Sequence, residues 1–194
     1  MQQQNNTHTM TKTKPDTTAL NDLLARITEP GVRELATALL ADAPAAFWSA
    51  PASTSGKYHP AYAAGEGGLV RHTRAVAHIA MHLCELEDAP PLFRDLALAA
   101  CLCHDAYKVL REGEYTNFLH PKLAAEAMLR LGQQFGGTRA SYAEALARAI
   151  ASHMGRWNAS PRHSETLPLP EGGLARLVHA ADYLASRKHL LPEA

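Results

Sequence analysis

Apolar residues along the chain recur at helical spacing. Leu20, Leu23, Leu24 and Ile27 form one short stripe, and Val32, Leu35, Ala36, Leu39 and Leu40 form a second, with Pro30-Gly31 read as the break between them. A stretch rich in small residues and breakers, from Phe47 to Gly68, reads as a long loop. Helical pattern resumes at Leu69, with Val76, Ile79, Leu83 and Leu86 as its inward stripe and His72 one turn before Val76. The next helix spans Pro91 to Lys108 and is apolar almost all round, which predicts burial on every side. Residues 111–119 are a polar connection or short hairpin. His120-Pro121 opens a further helix with proline in its first turn, carrying Leu123, Ala127, Met128 and Leu131 and broken by Gly136-Gly137. A helix from Tyr142 carries Leu146, Ala149 and Ile150 and ends at Gly155. After a polar loop over 156–171, a last helix from Gly172 buries Leu174, Leu177, Val178, Ala181 and Ala185. No strand and no fixed-period repeat is evident, so the expected fold is an all-α bundle. Residues 1–17 are expected to form a polar, disordered arm and residues 18–194 a single domain.

The stripes are interrupted at telling places. His72, His153 and Asp182 stand where the pattern calls for an apolar residue, and His104-Asp105 lies near the end of the most apolar helix. Burying an imidazole beside a carboxylate costs free energy unless something compensates their polarity. A bound cation does so, because both groups are metal ligands and the cation holds the carboxylate ionised. With His120 at the start of its helix, six nitrogen or oxygen donors converge from separate segments: His72, His104, Asp105, His120, His153 and Asp182. A single tetrahedral zinc needs fewer. The set suits two ions sharing a bridging carboxylate, and Asp105, central in the order, is the natural bridge. If His120 and His153 turn away, a mononuclear His72, His104, Asp105, Asp182 set remains. Mixed imidazole and carboxylate donors suit Mn, Fe, Co, Ni or Zn, with Mg as a further option.

Composition narrows the function. Formal net charge is zero and no Lys/Arg run marks a nucleic-acid footprint, which argues against a polynucleotide without excluding one. Cys84, Cys101 and Cys103 sit in apolar helical pattern without C-x-x-C spacing and read as reduced core residues. No apolar run is long enough to cross a membrane and no signal peptide is evident, so a cytoplasmic protein is expected. The polar arm and short terminal helices are compatible with a homodimer.

The order His72 … His104-Asp105 … His120 … His153 … Asp182 resembles the HD superfamily of metal-dependent phosphohydrolases, over residues 47–188. His104-Asp105-Ala-Tyr-Lys108 is similar to the family's HD-x-x-K signature. The nearest likeness is to the HD domain of bacterial 3′–5′ exoribonucleases. It is carried by Phe47-Trp48, Pro51-Ala52, His59 and Gly67-Gly68-Leu69 leading to His72-Thr73, by Ser152-His153-Met154-Gly155, and by His179-Ala-Ala-Asp182-Tyr-Leu-Ala-Ser-Arg187. There are two departures. Met154 stands where that group has a second histidine, and residues 1–46 are too short and too helical to form an oligonucleotide-binding barrel.

The resemblance implies an HD-type helical bundle. It also implies hydrolysis of a nucleotide phosphoester or phosphoanhydride by water activated on one or two divalent ions. Asp105, Lys108, His59 and Glu66 are then candidates for catalysis, and Lys57, Lys108, Arg187 and Tyr62 for holding substrate. Each has a plainer alternative. Lys108 suits a helix C-terminus, Lys57 a solvated loop, His59 and Glu66 an ordinary surface, and Arg187 a carboxylate partner. Trp48, Tyr58 and Tyr62 either stack a base or pack the core. The main expectation is a small-molecule nucleotide substrate. Short single-stranded nucleic acid is the alternative, for a 3′–5′ exonuclease or cyclic-nucleotide phosphodiesterase. Di-iron oxygenase chemistry and a non-enzymatic module with a vestigial site complete the set.

Overall fold

The computed structural model describes residues 17–53 and 59–188. Residues 1–16 of the arm expected over residues 1–17, together with Lys57 and Tyr58, lie outside them. Eight α-helices run in order among the described residues: α1 (Asn21–Leu24), α2 (Pro30–Asp42), α3 (Ala45–Ser49), α4 (Gly68–Leu86), α5 (Pro91–Cys103), α6 (His120–Phe135), α7 (Thr138–Ala151) and α8 (Gly172–Ala185). Short 3-10 turns occupy Ala61–Ala63 and Gly155–Trp157, and no strand occurs among these residues. No helix described is long and apolar enough to cross a membrane.

The most apolar helix is the central one. α5 packs against α2, α4, α7 and α8, and Ala97 to Cys103 are all buried, as expected of a helix without a polar face. Its neighbours present the stripes read from the sequence: Leu20, Leu23, Leu24 and Ile27, then Val32, Leu35, Ala36, Leu39 and Leu40, are buried. α6 and α7 form an antiparallel pair joined at Gly136 and Gly137, both with positive φ (65° and 59°). The three cysteines are free and buried.

Several boundaries differ from expectation, each for a physical reason. Pro30-Gly31 does not separate two helices but opens α2: proline lacks an N–H that the first turn would leave unbonded, and the Glu29 carboxylate accepts from Gly31 N. Phe47 and Trp48 belong to α3 and are buried, their rings in edge contact, so the segment that follows α2 is not loop from the outset. On α4 the inward face runs through Leu69, His72, Val76, Ala80 and Cys84; Leu86, expected on it, is exposed. α5 stops at Cys103 rather than continuing to Lys108, and α7 starts at Thr138 and stops at Ala151. Residues 111–119 form a loop closed by Asn117 N donating to Lys108 O at 2.8 Å.

One buried carboxylate ties the amino-terminal helices to the central one. Oδ2 of Asp95 accepts from Thr28 N (3.0 Å), Thr28 Oγ1 (2.7 Å) and Glu29 N (2.7 Å). Replacing Asp95 by alanine leaves two backbone donors and a hydroxyl without their acceptor. We expect Asp95→Ala to lower stability in urea unfolding by about 2–4 kcal/mol, and Asp95→Asn, which keeps a carbonyl oxygen, by less.

Candidate metal centre

The ends of helices bring the interrupting residues together. His104 follows the last residue of α5, His153 follows α7 by two positions, and His120 begins α6, while His72 lies on the first turns of α4 and Asp182 near the end of α8. His72, His104, Asp105, His120 and His153 are all buried, and the Asp182 side chain is 19% exposed.

Three of the imidazoles are held in the same way. Nδ1 of His104 bonds Cys101 O (2.7 Å), Nδ1 of His120 bonds Asn117 O (2.6 Å) and Nδ1 of His153 bonds Ile150 O (2.8 Å). A carbonyl oxygen only accepts, so each Nδ1 carries the proton. In the neutral ring Nε2 is then a bare lone pair. The bonds to Cys101 and Ile150 also give carbonyls in the last turns of α5 and α7 a side-chain donor.

Those lone pairs face other acceptors. His120 Nε2 and His153 Nε2 are 3.2 Å apart, with no proton between two neutral rings of this tautomer. Asp105 Oδ1 is 2.9 Å from His120 Nε2 and 3.5 Å from His153 Nε2, without an aligned hydrogen bond. Asp105 Oδ2 is 3.4 Å from His104 Nε2 and 3.7 Å from His72 Nε2. Asp182 Oδ1 is 3.0 Å from His72 Nε2 and 3.8 Å from His104 Nε2. The two oxygens of Asp105 thus turn toward different histidine pairs. Lys108 Nζ, 2.7 Å from Asp105 Oδ2, supplies one positive charge.

The electrostatics agree with a site built for cations. Burial raises the Asp105 carboxyl, but Lys108, His104 and His120 outweigh it and hold the group well below the usual range. Burial likewise raises Asp182, and the hydrogen bond from His72 with the fields of the surrounding histidines reverses the shift. His104 is pushed down by burial, yet Asp105 and Asp182 together raise it, so positive charge is favoured at that point. His120 is lowered to about 4, chiefly by burial and despite the opposing pull of Asp105. His104 Nε2 and Asp105 Oδ1 are buried without a hydrogen-bond partner. His72, His104 and Asp182 form one cluster compact enough for a metal ion, and His104, Asp105 and His153 form another. The donor set therefore fits divalent metal.

A cavity of about 400 Å³ opens beside the cluster, lined among others by His59, Lys108, His120, Asp182, Trp157 and Arg187. His59 stands edge-on to His72 with ring centroids 4.8 Å apart, and burial, with Lys108 and His72, lowers its pKa to about 3. Of the other residues singled out in the sequence, Arg187 and Lys108 line the cavity, but Tyr62 and Glu66 do not. The Tyr62 hydroxyl donates to Ala185 O at 2.8 Å, tying its loop to α8, and Glu66 is exposed, its backbone carbonyl accepting from Arg71. Trp48 packs in the core, away from the cavity lining. Trp157, Tyr183 and His179 line the cavity and were not assigned a role from the sequence. The signal for Trp157 is a tryptophan in an otherwise polar loop, two residues beyond Gly155, and that for His179 and Tyr183 is their place in the His179-to-Arg187 motif.

The HD domain family profile matches residues 69–187, well over half of the chain and the whole span from His72 to Asp182. The chain belongs to the HD domain family. That family is typically one of metal-dependent hydrolases, which makes phosphohydrolase chemistry the class to expect of this centre. Among curated proteins and among solved structures, nothing matches the chain.

Proposed function

We propose that this protein hydrolyses a phosphoester or phosphoanhydride bond of a small nucleotide, with His72, His104, Asp105, His120, His153 and Asp182 holding one or two divalent ions. The observation that carries this reading is the set of buried imidazole lone pairs aimed at carboxylate oxygens and at one another, at 2.9–3.8 Å, with no proton to separate most of them. Between such donors a divalent cation is stabilising, whereas its absence leaves repulsion in a medium of low dielectric. Divalent ions held here would polarise a phosphoryl oxygen and acidify water for attack at phosphorus.

The protein's own groups complete the chemistry. Asp105, with one oxygen toward each histidine pair, would be the carboxylate shared by two ions if both are held. Lys108 places its ammonium between Asp105 and the cavity, where it stabilises charge growing on the phosphoryl oxygens. His59 presents a neutral imidazole to the same cavity, where a ring N–H can hydrogen-bond a phosphate oxygen. Arg187 supplies a second fixed cation for a phosphate.

Phosphate release from a panel of nucleoside mono-, di- and triphosphates, each with Mn, Fe, Co, Ni, Zn and Mg, tests the proposal. The expected result is turnover of at least one mononucleotide that chelation abolishes and metal restores, in air and anaerobically alike. Activity confined to short oligonucleotides or cyclic nucleotides would replace it with the exonuclease or phosphodiesterase reading. Product formation that requires iron and oxygen would replace it with oxygenase chemistry. A protein that takes up no divalent ion would sink all of these.

A further inference from the structure

The cavity beside the metal cluster has an aromatic wall. Trp157 and Tyr183 stack with ring centroids 5.6 Å apart and planes 19° from parallel. Arg187 lies over Tyr183 (4.4 Å from its guanidinium carbon to the ring centroid) and near Trp157 (5.4 Å), while Arg156 lies over Trp157 at 4.5 Å. Trp157 is 39% exposed although it is one of the largest apolar side chains in the molecule. Core packing does not account for that exposure. Trp48, the other tryptophan, is buried in the core.

The wall is also held at a set distance from the chemistry. Trp157 ends the 3-10 turn that begins at Gly155, just beyond His153, and Tyr183 follows Asp182 directly in α8. His179 joins the two elements, its Nδ1 donating to His153 O at 2.7 Å, and its ring lies 6.4 Å from Trp157. Lys108, Asp182, Trp157, Tyr183 and Arg187 line one continuous space of about 400 Å³.

Resting on the phosphohydrolase reading above, we infer that the Trp157–Tyr183 wall is a nucleobase subsite. The substrate is then a nucleotide whose base stacks on this wall while its phosphate faces Lys108 and the metal cluster. A flat π-system with the Arg187 guanidinium beside it in the same space takes any base by stacking and cation–π attraction, without reading hydrogen-bond edges. The subsite therefore selects for the presence of a base more than for its identity. It also disfavours phosphate monoesters that carry no ring.

Equilibrium binding tests this independently of turnover. The intact protein is titrated calorimetrically with adenosine 5′-O-thiomonophosphate, with the cytidine counterpart, and with ribose 5-phosphate as the base-free control, and in the wild type tryptophan emission is followed as well. Both nucleotides should quench emission saturably and bind with affinities within a few-fold of each other, and ribose 5-phosphate should bind much more weakly. Trp157→Ala should weaken both nucleotides by about ten- to a hundredfold, the usual loss for one base–aromatic stack. It should weaken ribose 5-phosphate far less. Trp157→Phe should recover most of the nucleotide affinity, which separates stacking from misfolding. Equal affinity for the base-bearing and base-free ligands, absence of quenching, or equal weakening of both classes by Trp157→Ala would overturn the assignment. Failure to release phosphate from any nucleotide would instead overturn the hydrolase reading and leave these binding results intact.

Discussion

Asp105→Asn should abolish stoichiometric metal uptake and lower turnover by at least about a thousandfold, with the helical fold retained. The amide has the size of the carboxylate, so packing around it changes little. Its charge is what is lost, and a divalent centre that stabilises its transition state by several kcal/mol depends on that charge. Among the described donors Asp105 alone reaches both histidine pairs, with Oδ1 near His120 and His153 and Oδ2 near His72 and His104. Asp182 reaches only His72 and His104. Asp182→Asn should therefore weaken uptake while sparing ligands on the His120–His153 side, and Asp105→Asn should damage both. The same contrast should appear in thermal unfolding. Metal at about a hundred times its Kd stabilises the folded wild type by about 2.7 kcal/mol, a rise of roughly 5–10 °C in Tm for a chain of this size. Asp105→Asn should remove most of that rise. Undiminished metal content in Asp105→Asn, measured by elemental analysis, would refute the bridging role.

Much of this centre was legible before any coordinates. His72, His153 and Asp182 were visible because a polar residue in an apolar stripe stands out, and His104-Asp105 because the surrounding helix has no polar face for them to use. The ends of those helices were not legible. Beyond Cys103 the helical spacing resumes at Ala106 across His104-Asp105, and nothing in the pattern announces a stop between them. The stop coincides with the His104 side chain bonding Cys101 O, an interaction that periodicity does not register. The cavity was harder still. Trp48 and Trp157 are the same residue type in similarly ambiguous segments, yet one packs against Phe47 and the other against Tyr183 of a distant helix. Tyr62 looked like a ring beside the site, and its hydroxyl instead fastens its loop to Ala185, 123 residues away in sequence. Pairings at that separation are set by the assembled tertiary structure, and local pattern carries no record of them.

The turn that presents His153 should be highly sensitive to substitution. Gly155 has φ +54°, and a Cβ placed there would lie 2.2 Å from His179 Cε1 and 2.5 Å from His179 Nε2. The imidazole has little freedom to retreat, because its Nδ1 is bonded to His153 O at 2.7 Å. Gly155→Ala therefore combines a left-handed backbone, costing about 1–2 kcal/mol for a residue with a Cβ, with overpacking that costs about 1–3 kcal/mol more. A loss of roughly 2–5 kcal/mol in urea unfolding is expected. If the turn shifts to relieve the clash, His153 moves with it, and metal affinity should fall by about ten- to a hundredfold, as it does when the groups orienting a ligand are disturbed. The two contributions separate in a double-mutant cycle. Adding His179→Ala to Gly155→Ala removes the steric part but not the backbone part, so the double variant should be more stable than the sum of the single losses implies, by about 1–3 kcal/mol. Strict additivity would mean that the imidazole moves aside freely, and that His179 does not hold the His153 turn in place.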